Sequence, residues 1–251
     1  MHYNSSPAAH LGGTVLSVSM ATGAEHHSTA AWSTQNYFSL LREHAIAAGE
    51  SGNYAIAASL VVREEGRELV CIGSNTLFEG RDPSGHAEMN AIRLARAVGD
   101  KEDEGEVQLR KALSAGALLV RRAPDDRPER ILYTTLEPCP MCTVCVINAG
   151  VTRVVIAAED PLSGTLQEDR FSGLPPLWHD LAQAIGLRVV FCQSTQPDDL
   201  DTYLAPALKD DLLKLFASSR IDLDDQLRRG GVLNGKEIVD ASTKLEQVLP
   251  K

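Results

Sequence analysis

The chain is short of three things, and each shortage excludes something. Basic residues are outnumbered: 24 Lys and Arg stand against 34 Asp and Glu, a formal charge of −10. A phosphate backbone is bound by a concentrated cationic face, so nucleic acid is not an expected partner. Apolar runs are short. None approaches the roughly 18 residues of a membrane span, and Leu11–Met20 lacks the positive flank of a secretory signal. Cysteines are few: five, an odd number in 251 residues, do not read as a disulfide framework. Reduced thiols with no membrane segment point to the cytoplasm. There is no internal repeat.

What is present is an alternation of strand and helix patterns. Residues 1–33 are rich in Ser, Ala, Thr, Gly and His without periodicity and read as a flexible tail. Tyr37, Leu40, Leu41, His44, Ala45 and Ala48 recur at helical spacing and stop at Gly49. Ala55–Val62 and Leu69–Gly73 read as strands joined by a polar turn, and Pro83-Ser84-Gly85 starts a helix that ends at Gly99. Ile131–Thr135, Arg153–Ala158 and Leu187–Cys192 are further strands, alternating with helices over Cys139–Ala149 and Leu177–Ile185. Between them, Glu106–Ala115 looks helical and Ala117–Val120 suits a short strand.

This order predicts a three-layer α/β/α sandwich around a five-stranded mixed sheet. The helix between the last two strands makes that pair parallel through a right-handed crossover. Residues 34–195 form the expected domain, with 100–130 as an insertion and 196–251 as a helical C-terminal extension.

Two motifs carry chemistry. Gly85-His86-Ala87-Glu88 opens one helix, and Glu137-Pro138-Cys139-Pro140-Met141-Cys142 opens another. Side chains two apart on a helix point about 200° away from each other, so His86 and Glu88 converge only on something off the helix mouth. Cys139 and Cys142, three apart, are neighbours within reach of one zinc ion, with His86 as the third ligand. Three protein ligands leave a fourth position for water, the mark of a catalytic site. Cys145 lies six residues beyond Cys139, about 9 Å along a helix axis, too far to close the site as a fourth ligand. Glu88 is the candidate to carry the proton of the activated water. Singly each piece is weak; an HxE and a PCxxC in this order match the signature of zinc nucleobase deaminases.

At these residues the chain resembles the cytidine deaminase superfamily, in the branch of guanine, cytosine, deoxycytidylate and tRNA adenosine deaminases. The resemblance implies a cytidine-deaminase-like fold, one Zn2+ per chain on His86, Cys139 and Cys142, and Glu88 as the proton shuttle. It also implies that Asn75 hydrogen-bonds the base and that the backbone at Ala87 touches it. Ser74-Asn75 equally suits a turn without any ligand. Glu159 and Asp160, at the carboxyl end of a strand, are candidate substrate contacts, against the plain alternative that Asp160-Pro161 starts a turn. Phe78, Phe171 and Trp178 are stacking candidates, with core packing as their ordinary role. The chain departs from the family at Ala55-Ile56-Ala57-Ala58 and in the 53-residue spacing from His86 to Cys139.

The expected activity is hydrolysis of an exocyclic amine on a nucleobase, nucleoside, nucleotide or related aminoheterocycle, releasing ammonia. A small-molecule substrate and a homodimer are expected. Two other readings stand: a tRNA adenosine deaminase, for which Arg121, Arg122, Arg127 and Arg130 leave room, and a catalytically silent zinc protein, which would have no need of Glu88.

Overall fold

The computed structural model describes residues 32–64, 67–99, 118–121, 129–160, 163–167, 173–195 and 202–228. Most of the N-terminal tail, the Glu106–Ala115 helix, Arg122, Arg127, Phe171 and the segment after 228 lie outside these residues, as does most of the expected insertion.

Among the described residues six strands form one sheet: β1 (Ala57–Glu64), β2 (Arg67–Ser74), β3 (Leu118–Arg121), β4 (Glu129–Thr134), β5 (Arg153–Ile156) and β6 (Arg188–Phe191). Their order is β3-β2-β1-β4-β5-β6. The first four in that order run antiparallel, while β4–β5 and β5–β6 are parallel. The five strands read from the sequence are all here, with the last two parallel. The sixth, β3, is the short Ala117–Val120 run, which joins the edge of β2 over four residues.

Among the described residues five helices cover the two faces: α1 (Thr34–Glu50), α2 (Ala87–Gly99), α3 (Pro140–Asn148), α4 (Pro176–Ala184) and α5 (Pro206–Arg228). Ser33 starts α1 with a reciprocal cap, its hydroxyl accepting from Asn36 N–H while Asn36 Oδ1 accepts from Ser33 N–H. Pro140 and Pro176 occupy first-turn positions, where the missing N–H costs nothing.

Strand alternation sorts the core into two layers. Ala57, Val61, Ile131, Tyr133 and Val155 meet Tyr37, Phe38 and Leu41 of α1 and Leu212 of α5. Ala58, Leu60, Leu132, Val154 and Ile156 meet Ala87, Ala91 and Ile92 of α2 and Val146 of α3. The helical extension is tied into the first layer. Leu204 is fully buried there, Arg42 of α1 pairs with Asp211 of α5 at 2.5 Å, and Ser219 accepts the Ala55 N–H at 2.9 Å.

One contact fixes the seat of α2. A Cβ added at Gly73 of β2 would lie 2.2 Å from the Ala87 carbonyl and 2.4 Å from the Ala91 nitrogen. Only glycine lets the helix mouth come this close to the strand. Gly73→Ala is expected to cost about 3 kcal/mol and to lower Tm by roughly 6–12 °C. Calorimetry that finds Tm within roughly 2 °C of wild type would show that α2 moves aside freely.

Candidate active site

Three loops at one end of the sheet build the site. The segment after β2 carries Asn75 and leads through 76–85 to His86, the residue before α2. The loop after β4 carries Glu137, Pro138 and Cys139, and Cys139 is the N-cap of α3. The loop after β5 carries Glu159 and Asp160. His86 and Cys139 therefore stand just off two helix mouths, as their spacing required, with Glu88 and Cys142 inside the first turns.

The donor atoms converge. His86 Nδ1 lies 3.6 Å from Cys139 Sγ and 3.5 Å from Cys142 Sγ, and the three ligand atoms all lie within 4.8 Å of one another. A tetrahedral ion with Zn–S bonds of about 2.3 Å and Zn–N bonds of about 2.0 Å separates its ligand atoms by about 3.6 Å, so the set fits zinc. This is the one cluster of potential metal donors among the described residues, and Cys145 is not in it. Cys145 instead packs half-buried against the α2–α3 layer.

The electrostatics agree. A hydrogen bond from Cys142 and the neighbouring His86 lower the Cys139 thiol from 9.0 to about 4, and Cys142 is pushed up in turn. Two thiols hold one proton between them where a divalent cation would hold both as thiolates. Two helix N-termini add positive potential at the same place. Glu88 is 4% exposed, and burial raises its carboxyl from 4.5 to about 7. Its Oε2 accepts from Cys142 Sγ at 3.5 Å.

Thiol labelling tests the donor set. Iodoacetamide at neutral pH should reach Cys139, the partly exposed and acidic thiol of the pair, only after chelation. Cys71 and Cys192, which burial pushes up to about 12, should stay unlabelled in the folded protein. Labelling of Cys139 at equal rates with and without chelator would contradict a metal at these residues.

Asn75 is 2% exposed, and its Oδ1 accepts the Leu77 N–H at 3.1 Å. An N–H can only donate, so Oδ1 must face Leu77 and Nδ2 is the free end of the amide. The oxygen makes the turn that Ser74-Asn75 suggested, and the nitrogen is left as a donor. Asp160 is also buried, and its carboxylate accepts the Ser163 N–H at 3.2 Å and the Ser163 hydroxyl. It shapes the turn that its Asp-Pro sequence suggested. Glu159 beside it is exposed. Phe78 packs edge-on to Tyr54, with ring centroids 5.5 Å apart, and Trp178 is half-buried on α4.

Glu137 is a site residue that sequence reasoning passed over. Only 2% exposed, its carboxylate accepts N–H groups from Asp160 at 3.1 Å, Leu166 at 2.8 Å and Gln167 at 3.3 Å. A Cβ at Gly164 would fall 2.2 Å from that carboxylate. The Pro138 carbonyl accepts from the Thr165 N–H at 3.2 Å, so the loop after β5 is fastened around the residue that precedes Cys139. The available signal was a carboxylate two residues before a ligand cysteine; its partners are backbone N–H groups of a distant loop, which spacing does not show.

Residues 32–158, just over half of the chain, match the family described as the cytidine and deoxycytidylate deaminase zinc-binding region. Fold and donor set together define a zinc-dependent deaminase, a hydrolase of carbon–nitrogen bonds. The chain belongs to the cytidine and deoxycytidylate deaminase family. It is 30% identical to a tRNA-specific adenosine deaminase of Agrobacterium fabrum over 145 residues, 57% of this chain and 78% of that protein. A tRNA-specific adenosine deaminase of Bacillus subtilis is 34% identical over 133 residues, 50% of this chain and 66% of that one. A guanine deaminase of Bacillus subtilis is 35% identical over 91 residues, 36% of this chain and 44% of that protein.

Proposed function

We propose that the chain removes an exocyclic amine from a free base, nucleoside or related aminoheterocycle by hydrolysis, with Glu88 as the proton shuttle. One observation carries this reading. A buried carboxylate stands 3.5 Å from Cys142 Sγ, against the three-donor cluster yet outside it. A structural zinc site has no use for such a group.

Zinc held by His86, Cys139 and Cys142 would supply the Lewis acid that makes water nucleophilic near neutral pH. Glu88 takes one proton from the water as its oxygen adds to the ring carbon bearing the amine, and passes it to the ring nitrogen. It then takes the second proton from the new hydroxyl and passes it to the amine; the carbon–nitrogen bond breaks, the carbonyl forms and ammonia leaves. Asn75 Nδ2 donates to an acceptor on the base. The Ala87 N–H, in the first turn of α2 where no helical carbonyl accepts it, faces the same ligand. Glu159, exposed at the end of β5, is the carboxylate that reads a second amino or ring N–H group; Asp160 stays with its turn.

The charge of −10 favours a small substrate over RNA. The second reading, a tRNA adenosine substrate, draws on the two relatives named for tRNA, so acidity alone does not exclude nucleic acid. Ammonia release from a panel of aminopurines, aminopyrimidines, their nucleosides and unmodified tRNA decides between them. Turnover of tRNA alone, weakening steeply with salt, would reverse the order. The reading extends to a homodimer acting in the cytoplasm, tested by sedimentation velocity and by fractionation. Among the described residues no helix is long and apolar enough to cross a membrane.

A further inference from the structure

The segment that presents Asn75 is held from both sides by asparagines outside the two motifs. On one side is Asn90 of α2, one helical turn beyond His86, whose carbonyl accepts the Asn90 N–H at 3.0 Å. The Asn90 Nδ2 donates to the Ser74 carbonyl at 2.8 Å and to Thr76 Oγ1 at 3.0 Å, the residues flanking Asn75. On the other side is Asn53, 1% exposed, whose Oδ1 accepts from Phe78 N–H at 2.9 Å and Glu79 N–H at 3.2 Å.

The two amides use opposite ends, and chemistry leaves no choice in either. The Ser74 carbonyl only accepts, so Asn90 must offer nitrogen there. Its Oδ1 in turn accepts from Arg93 at 3.0 Å, and a guanidinium only donates. Backbone N–H groups only donate, so Asn53 must offer oxygen to them. The Asn53 Nδ2 is buried and has no partner. Nothing is asked of that nitrogen, although burying it costs free energy. The oxygen is what the position requires.

We infer that Asn90 and Asn53 are positioning residues that set the distance between Asn75 and the His86–Glu88 end of α2, and so govern how tightly the base is held. The inference rests on the reading of Asn75 as the base contact. Asn90 acts through the helix that carries the metal ligand and the proton shuttle; Asn53 anchors the far end of the same six-residue segment, 74–79.

The opposite polarity makes the test specific. Asn90→Asp replaces the donor with a carboxylate oxygen facing the Ser74 carbonyl, while keeping the acceptor for Arg93 and gaining an ion pair with it. Folding should be maintained while the bond to the Ser74 carbonyl turns into a repulsion: KM for the best substrate of the panel should rise about tenfold or more, with kcat changed less than about threefold. Asn53→Asp keeps the acceptor, so KM should stay within about threefold of wild type. Asn53→Leu removes the acceptor and should raise KM about tenfold. Zinc content should remain about one per chain in all three.

A wild-type KM in Asn90→Asp or in Asn53→Leu would overturn the inference. So would a pattern in which both aspartate variants are equally impaired. Asn75→Ala separates this failure from that of the underlying reading. If Asn75→Ala leaves KM unchanged, Asn75 is not the base contact; if it raises KM while Asn90→Asp does not, the base contact stands and the clamp falls. Should Asn53→Leu fail to fold, the two aspartate variants still carry the comparison.

Discussion

Glu88→Gln is expected to keep its zinc and to lose ammonia release by a factor on the order of 10³. Glutamine has the shape of glutamate and can accept a hydrogen bond, but it cannot take up a proton and hand it on. It is not among the three donors, so metal analysis should still find about one zinc per chain. Stability should hold or rise. The side chain is 4% exposed, and a neutral amide pays none of the desolvation that burial imposes on a carboxylate. Zinc content, Tm and turnover measured on one preparation therefore separate chemistry from architecture. Turnover within a few-fold of wild type would remove Glu88 from its role.

Cys142→Ala should do the reverse, acting first on the metal. Cys142 is fully buried and is the one ligand set within the first turn of α3, the other two standing just off the helix mouths. Its loss leaves two donors, His86 and Cys139, too few to retain the ion through dialysis. Zinc should fall below about 0.1 per chain and activity should vanish with it. Binding to the folded state alone stabilises that state, so losing the ion at several kcal/mol should lower Tm by roughly 10 °C or more. Cys145→Ala is the matched control, one turn along the same helix and outside the donor set; it should keep its zinc. Equal metal loss in both variants would mean that the helix, not the ligand, had been damaged.

The metal end of the site was legible because ligand chemistry is local. His-x-Glu and Cys-x-x-Cys each sit in one turn of chain, and helix geometry alone brings two sulfurs together and rejects Cys145. Central strands were legible for a similar reason: Leu60, Val61, Leu132, Val154 and Val155 are buried by layers on both faces and read as apolar runs. The edge strand β3 is four residues long and pairs on one side only, so its pattern is too brief to count. The α1 face also turned slightly from the expected stripe, with Phe38 fully buried and Leu40 only partly so. Glu137, Asn53 and Asn90 were invisible for a different reason. Glu137 and Asn53 bond to backbone N–H groups of distant segments, Asn90 reaches the Ser74 carbonyl, and backbone leaves no signature in side-chain spacing.

His86 and Cys139 are 53 residues apart in the chain, yet an ion held by both would link the strands that precede them. A cross-link of this kind makes the length of the intervening chain cheap to change. The entropy of closing a flexible loop grows only with the logarithm of its length, so inserting some thirty residues between His86 and Cys139 costs less than about 1 kcal/mol. A shorter or longer span would then keep the same reaction centre, and new surface between β2 and β4 would not disturb it. The metal is in this sense a tether as well as a reagent: it lets the stretch from α2 to β4 vary in evolution while its two ends stay where the chemistry needs them.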